Sequence, residues 1–163
     1  MISVKMSVIE ITHLLIESIT KKPYTEFIKD FQHIGMKEDS IGHSIYEKSH
    51  HLKYITDDNI LVSVDISGSE NNVIDLSIMI INQVTFMSSL FSSSMKYFNK
   101  LVELFSENYG EGFPENYGLN TLIFENDDIE IFLSYKKKSK MEITTMRVKN
   151  KKYSLDNLSF SSS

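Results

Sequence analysis

Residues 87–109, MSSLFSSSMKYFNKLVELFSENY, constrain the fold more than any other stretch, because helical periodicity sits there between two regions of period two. Phe91, Met95, Phe98, Val102 and Phe105 recur at spacings of 4, 3, 4 and 3, which places these bulky apolar groups on one side of a helix. Leu90, Leu101 and Leu104 widen the stripe, while Lys96, Asn99, Lys100, Glu103 and Glu107 fall mostly opposite. A helix of this kind lies with its apolar side on a core. The strand-like runs on either side then divide the chain into two similar halves.

The first half opens on a helix expected over 4–21, with Val4, Val8, Ile11, Leu15 and Ile19 in line and Lys21 and Lys22 at its C-terminal end. Pro23 breaks it or opens a second helix over about 24–34, where Phe27, Phe31 and Ile34 share a face and Gly35 is the left-handed stop. From Ile41 the period changes to two. Ile41–Lys48 and His50–Thr56 are strand candidates, and Asp57-Asp58-Asn59 is turn chemistry. Ile60, Val62, Val64 and Ile66 alternate with Leu61, Ser63, Asp65 and Ser67, the cleanest half-buried strand in the chain. After a hairpin loop at Gly68–Asn72, the return strand points Ile74, Leu76, Ile78 and Ile80 one way and Val73, Asp75, Ser77 and Met79 the other.

Beyond the central helix, the loop EGFPENYG is a break. Leu119–Glu125 and Asp128–Tyr135 form a hairpin around Asn126-Asp127, Lys136–Lys140 is a solvated turn, and Met141–Lys149 is the last strand. The predicted order is α-α-β-β-β-β-α-β-β-β, one α+β domain over 1–153 with a frayed tail at 154–163. A twisted antiparallel meander sheet of about seven strands, with its helices on one face, satisfies this pattern. Its other face is open and carries Leu61, Ser63, Asp65, Asp75, Ser77, Met79, Glu130 and Phe132.

Composition narrows the function. A net charge of −5 argues against a nucleic-acid binder, whose surface is normally basic, and leaves room for a basic partner. With no cysteine, disulfides and thiolate metal sites are excluded, which suits a reducing compartment. Glu10, His13 and Glu17 interrupt the N-terminal apolar run, and Ile78–Ile81 is far too short to cross a bilayer, so a cytoplasmic protein without a membrane partner is expected.

Chemistry has little foothold. His33, His43, His50 and His51 lie close in sequence, but none has spacing that puts two on one face, and His50 and His51 point to opposite sides of a strand. No metal and no cofactor are expected. There is no Gly-x-Ser-x-Gly elbow and no phosphate-cradling glycine loop, and the serines at 88–89 and 92–94 read as the polar start of a helix. The paired carboxylates Asp57/Asp58 and Asp127/Asp128 sit at hairpin tips, where water keeps a carboxyl from the raised pKa that acid catalysis needs. A non-catalytic protein follows. Its partner-binding candidates are acids: Asp57, Asp58, Asp127 and Asp128 at the turns, with Asp65, Asp75 and Glu130 on the open face. If the two halves are arranged alike, both acidic turns are expected on one edge of the sheet.

The stretches FIKDFQHIGM and ELFSENYGEGFPENYG, each a helix–Gly–strand junction before a meander, resemble those of small bacterial α+β domains. With its acidity, size and lack of cysteine, the chain resembles bacterial immunity proteins of polymorphic or contact-dependent toxin systems. The resemblance implies a monomeric inhibitor that covers the active site of a cognate protein toxin, many such toxins being nucleases with basic clefts. The alternative is a small acidic secretion chaperone working as a homodimer on an effector segment. This chain departs from that type in its two N-terminal helices, its extra strand and its tail SLDNLSFSSS, which lacks an amphipathic helix.

Overall fold

The computed structural model describes residues 5–42, 46–83, 95–114 and 121–153. Helix α1 spans Val8–Ser18 and starts where the Ser7 hydroxyl accepts the backbone N–H of Glu10, which satisfies one of the N–H groups that the first turn leaves open. It is shorter than the periodicity predicts. Lys21 and Lys22 fall beyond its last turn, in the corner before α2. Helix α2 spans Tyr24–Ile34 with Pro23 as its N-cap, and ends at Gly35, whose φ of 123° favours a residue without Cβ.

Strands β1 (Lys37–Gly42), β2 (Lys48–Ile55), β3 (Leu61–Ser69) and β4 (Asn72–Gln83) follow, then α3 (Lys96–Tyr109) and strands β5 (Phe113–Pro114), β6 (Thr121–Glu125), β7 (Ile129–Lys138) and β8 (Met141–Asn150). The predicted central helix begins within this description only at Lys96, preceded by Met95 in the left-handed region, and residues 87–94 lie outside the described residues. So does the tail at 154–163. The strand predicted at Ile41–Lys48 instead runs from Lys37, because its limits follow the ladder with β2, from Lys37↔Lys53 to Gly42↔Ser49. Its Lys-Glu-Asp segment has no apolar alternation, but an edge strand is where charged side chains are tolerated and protective. At the other end, Lys136–Lys138 belong to β7, which closes on β8 through Ser139-Lys140 with Ser139 at φ 59°. An eighth strand lies inside the loop expected as a break, where Phe113 and Pro114 pair with Ile123 and Leu122 at the sheet edge that tolerates proline.

The eight strands form one antiparallel sheet in the order β1-β2-β3-β4-β8-β7-β6-β5. Each half is therefore a four-stranded meander, and the two join through their last strands, with Ile78 facing Met146 across the seam. Because β4 and β8 are antiparallel, the second meander is turned end for end relative to the first.

One face of the sheet is the core face. A single row crosses it from Leu52 through Val64, Ile78, Met146 and Leu133 to Leu122. Phe27 and Phe31 of α2, Val8, Ile11, Leu15 and Ile16 of α1, and Leu101 and Phe105 of α3 belong to the same continuous cluster, so one core runs through both halves. The burial pattern of α3 centres on Tyr97, Phe98, Leu101 and Phe105, with Val102 only partly buried, a rotation of the predicted stripe toward Tyr97. Phe105 meets Phe124 edge-on at 5.5 Å, which locks α3 to β6, while Phe98 meets Tyr135 at 5.9 Å.

Candidate functional site

The face of the sheet opposite the helices has no described element over it. Strand alternation puts there the residues the sequence assigns to it: Ser63, Asp65, Ser77, Met79, Phe132, Glu130, Asp75 and Leu61. The register sorts them into cross-strand rows. One runs Lys53, Ser63, Met79, Thr145, Ser134 and Thr121; the next runs His51, Asp65, Ser77, Arg147, Phe132 and Ile123. Both meanders contribute apolar groups, Ile55, Leu61, Met79 and Ile81 from the first and Phe113, Ile123, Phe132 and Ile143 from the second.

Charges on this face are paired rather than massed. Arg147 donates from Nε and Nη2 to the Asp75 carboxylate, which is mostly covered, the closest contact being 3.0 Å. Lys149 stands between Asp75 and Glu130 in the ladder and places its ammonium 5.2 Å from the Phe132 ring centre. Lys53 reaches Asp39 of β1 at 3.3 Å. Pairs at such exposure contribute little stability, on the order of 0–1 kcal/mol each. Their effect is to cancel much of the field that the acids alone would project.

The tightest constellation links β2 to β3. His51 Nδ1 lies 2.5 Å from Asp65 Oδ1, and its Nε2 lies 3.0 Å from Ser63 Oγ. An ionised carboxylate only accepts, so Nδ1–H is the donor to Asp65, and in the neutral ring the Nε2 lone pair accepts the Ser63 hydroxyl. Asp39 Oδ2 stands 3.9 Å from the same Nε2. The hairpin produces this geometry: Ser63 and Asp65 are two apart on one strand and so share a face, and the register puts His51 directly opposite Asp65. Sequence reading placed Ser63 and Asp65 on the open face and weighed His51 only as a metal ligand, missing its pairing with them. The signal was present, since a turn centred on Asp58 pairs residues whose numbers sum to 116, and 51 with 65 is such a pair.

The acidic turns are not together. The β2–β3 turn carrying Asp57 and Asp58 lies at the end of the sheet where β4 finishes, while the β6–β7 turn with Asp127 and Asp128 lies at the end where β8 finishes. The shared edge expected for them is thus corrected: the end-for-end joining through β4 and β8 sends equivalent turns to opposite ends. Asp58 is also committed inward. It accepts hydrogen bonds from Thr56 Oγ1 at 2.6 Å and from the Tyr97 hydroxyl at 2.8 Å, which ties the turn to α3. Its partial burial works to raise its pKa, but those two bonds, its own backbone N–H and nearby Lys96 outweigh this and hold the carboxyl below its usual range. Asp57, Asp127 and Asp128 are exposed.

The remaining candidates separate cleanly. His50 turns to the core face, where its Nδ1 lies 2.8 Å from the Tyr24 hydroxyl, which itself donates to the Ile66 carbonyl. Burial, and then Glu38, push the Tyr24 phenol well above its usual range. His13 pairs with Glu17 along α1, and His43 lies outside the described residues. Among the described residues no three His, Asp or Glu side chains are grouped so as to hold a metal ion. No helix described is long and apolar enough to cross a membrane. At the β1 edge a cleft of about 540 Å³ has apolar walls of Ile34, Tyr54, Ile55 and Leu61 and a charged rim that includes Lys37, Glu38, Asp39 and Lys53; His51, Ser63 and Asp65 do not line it. Compared with known proteins, the chain matches no family model, no curated protein and no solved structure.

Proposed function

We propose that this protein is a protein-binding module, an immunity-type inhibitor that covers a cognate protein toxin with the open face of its sheet. The observation that carries the reading is that face itself: strands of both meanders contribute to it, no described helix lies over it, and Met79 and Phe113 are exposed upon it. A surface with scattered apolar anchors between polar and charged groups is the composition that protein interfaces use. Net acidity favours a basic partner, which it draws in over a Debye length of about 8 Å at physiological ionic strength. The cytoplasmic, monomeric inhibitor is the form this reading takes.

The separation of the acids into three places makes the test sharper. Binding of the neighbouring gene's product is titrated at two salt concentrations against three variants: Asp57→Asn at one end, Asp127→Asn with Asp128→Asn at the other, and Asp65→Asn, Asp75→Asn and Glu130→Gln on the face. The face variant is expected to weaken binding at least about tenfold and to lower the salt slope, with the end variants changing chiefly the association rate. Unchanged affinity in the face variant, with loss in an end variant, moves the interface to that end. A stable homodimer of the free protein, with no one-to-one complex, favours the chaperone reading instead.

A further inference from the structure

We infer that Ser63 is a nucleophilic serine, activated by His51 and Asp65, that takes an acyl group from an activated carboxylic ester. The inference goes beyond docking and rests on a separate observation, the Ser63 Oγ–His51 Nε2–Asp65 relay. A hydroxyl becomes a nucleophile when a base is in hydrogen-bond contact with it and that base is itself oriented by a third group. Both contacts are made here, at 3.0 Å and 2.5 Å, and on the two different nitrogens of one ring. Asp65 fixes the tautomer that leaves Nε2 free to take the proton. Asp39, 3.9 Å from Nε2, adds a second negative group beside the imidazolium that forms.

The step balances without a cofactor. Ser63 Oγ attacks the ester carbonyl as its proton passes to His51 Nε2. The carbonyl carbon–alkoxy oxygen bond then breaks, and the alcohol leaves with the proton from Nε2. An acyl ester on Ser63 and a neutral imidazole remain.

The fold also limits this chemistry. β3 is paired on both sides, by β2 and β4, so backbone N–H groups around Ser63 are committed to the ladders and form no oxyanion hole. Lys53, the register partner of Ser63, is the cation placed nearest along the strand pair. Loss of a single oxyanion donor elsewhere costs about 10²–10³ in rate. Acylation should therefore be slow, deacylation slower, and the acyl-serine should accumulate.

The test is incubation of the whole protein with p-nitrophenyl acetate and p-nitrophenyl hexanoate, reading p-nitrophenolate release and mapping the acyl group by peptide mass spectrometry. Expected is one equivalent of acyl group on Ser63 from either ester. Ser63→Ala should abolish it, His51→Gln should slow it about 100-fold, and Asp65→Asn should slow it less. Ser106→Ala, an exposed serine of α3 on the other side of the sheet, should leave it unchanged. Acyl groups on lysines or on His51 itself, no labelling, or equal labelling of Ser63 in the His51→Gln protein would overturn the inference. Circular dichroism of each variant separates lost chemistry from lost fold.

Discussion

The two meanders share a plan and differ in what they present. In each, an amphipathic helix stops at a glycine with positive φ, Gly35 after α2 and Gly110 after α3, and four antiparallel strands follow. On the core face they are largely alike: at the β4–β8 seam Leu76 faces Val148 and Ile78 faces Met146, with polar Thr144 opposite Ile80 further along. On the outer face they diverge. β2 and β3 place His51, Ser63 and Asp65 there, in a hydrogen-bonded cluster, whereas β6 and β7 place Ile123 and Phe132 at comparable depth. Their edges differ as well: β1 is a charged six-residue strand with a bulge near Asp39, and β5 is a two-residue strand ending in proline. Burial fixes one face of both units within narrow limits, while the other face is free to vary, and that freedom is where function is written.

The largest expected effects test whether the halves share one core. Phe31→Ala in the first unit and Phe105→Ala in the second each remove a fully buried ring and should cost about 3–5 kcal/mol in denaturant melts. If one core is continuous, both variants lower the midpoint of a single transition. A biphasic melt in either would split the comparison into two independently folding units.

Next come the two helix stops. Gly35 at φ 123° and Gly110 at φ 86° both hold conformations that side chains resist, so alanine at each should cost about 1–2 kcal/mol. An added Cβ finds only Tyr54 at 3.7 Å in the first case and nothing within 4 Å in the second, so backbone strain alone sets the loss. A neutral alanine at Gly110 together with a costly one at Gly35 would show that only the first unit depends on its stop.

Smaller effects probe the polar ties. Tyr24→Phe removes the bonds to Ile66 and His50 in the first unit, and Asp58→Asn weakens the turn's link to Tyr97 of α3; each should cost about 1 kcal/mol in thermal or chemical melts. Their pH signatures are opposite. Asp58 has a lowered pKa, so its contribution is full above the ordinary Asp range and vanishes as pH falls through the lower folded value. Tyr97 and Tyr24 have raised values, chiefly from burial, and Tyr135 is pushed up to about 12 by burial and by its hydrogen bond to Glu142. Their stability is present below the ordinary tyrosine pKa and is lost as pH rises through the folded values. A stability profile measured from acid to alkali should therefore flatten at its acid end in Asp58→Asn and at its alkaline end in Tyr24→Phe.

The smallest effect is the control. Lys100→Ala, on the exposed side of α3, should stay within about 0.5 kcal/mol of neutral, and a larger loss would mean that the core-facing side of that helix is misassigned.

The sequence by itself determined the secondary elements that periodicity governs. Burial forces apolar groups to recur at the period of the element, so α2 and the alternation of β3 and of β4 from Asp75 onward were legible residue by residue; Val73, expected on the open face, is buried in the core beside the register shift at Ser67/Gly68. The sequence also placed Ser63, Asp65 and Asp75 together on the open face, because period two needs no knowledge of neighbours. Only the tertiary structure decided the rest. β1 and β5 are strands because a ladder was available to pair with, so Lys37-Glu38-Asp39 and Phe113-Pro114 carried no readable period of their own. The seam between β4 and β8 joins residues about seventy positions apart, and nothing local encodes that they run antiparallel. That one pairing sent Asp57-Asp58 and Asp127-Asp128 to opposite ends, because a meander turned end for end reverses every turn it carries.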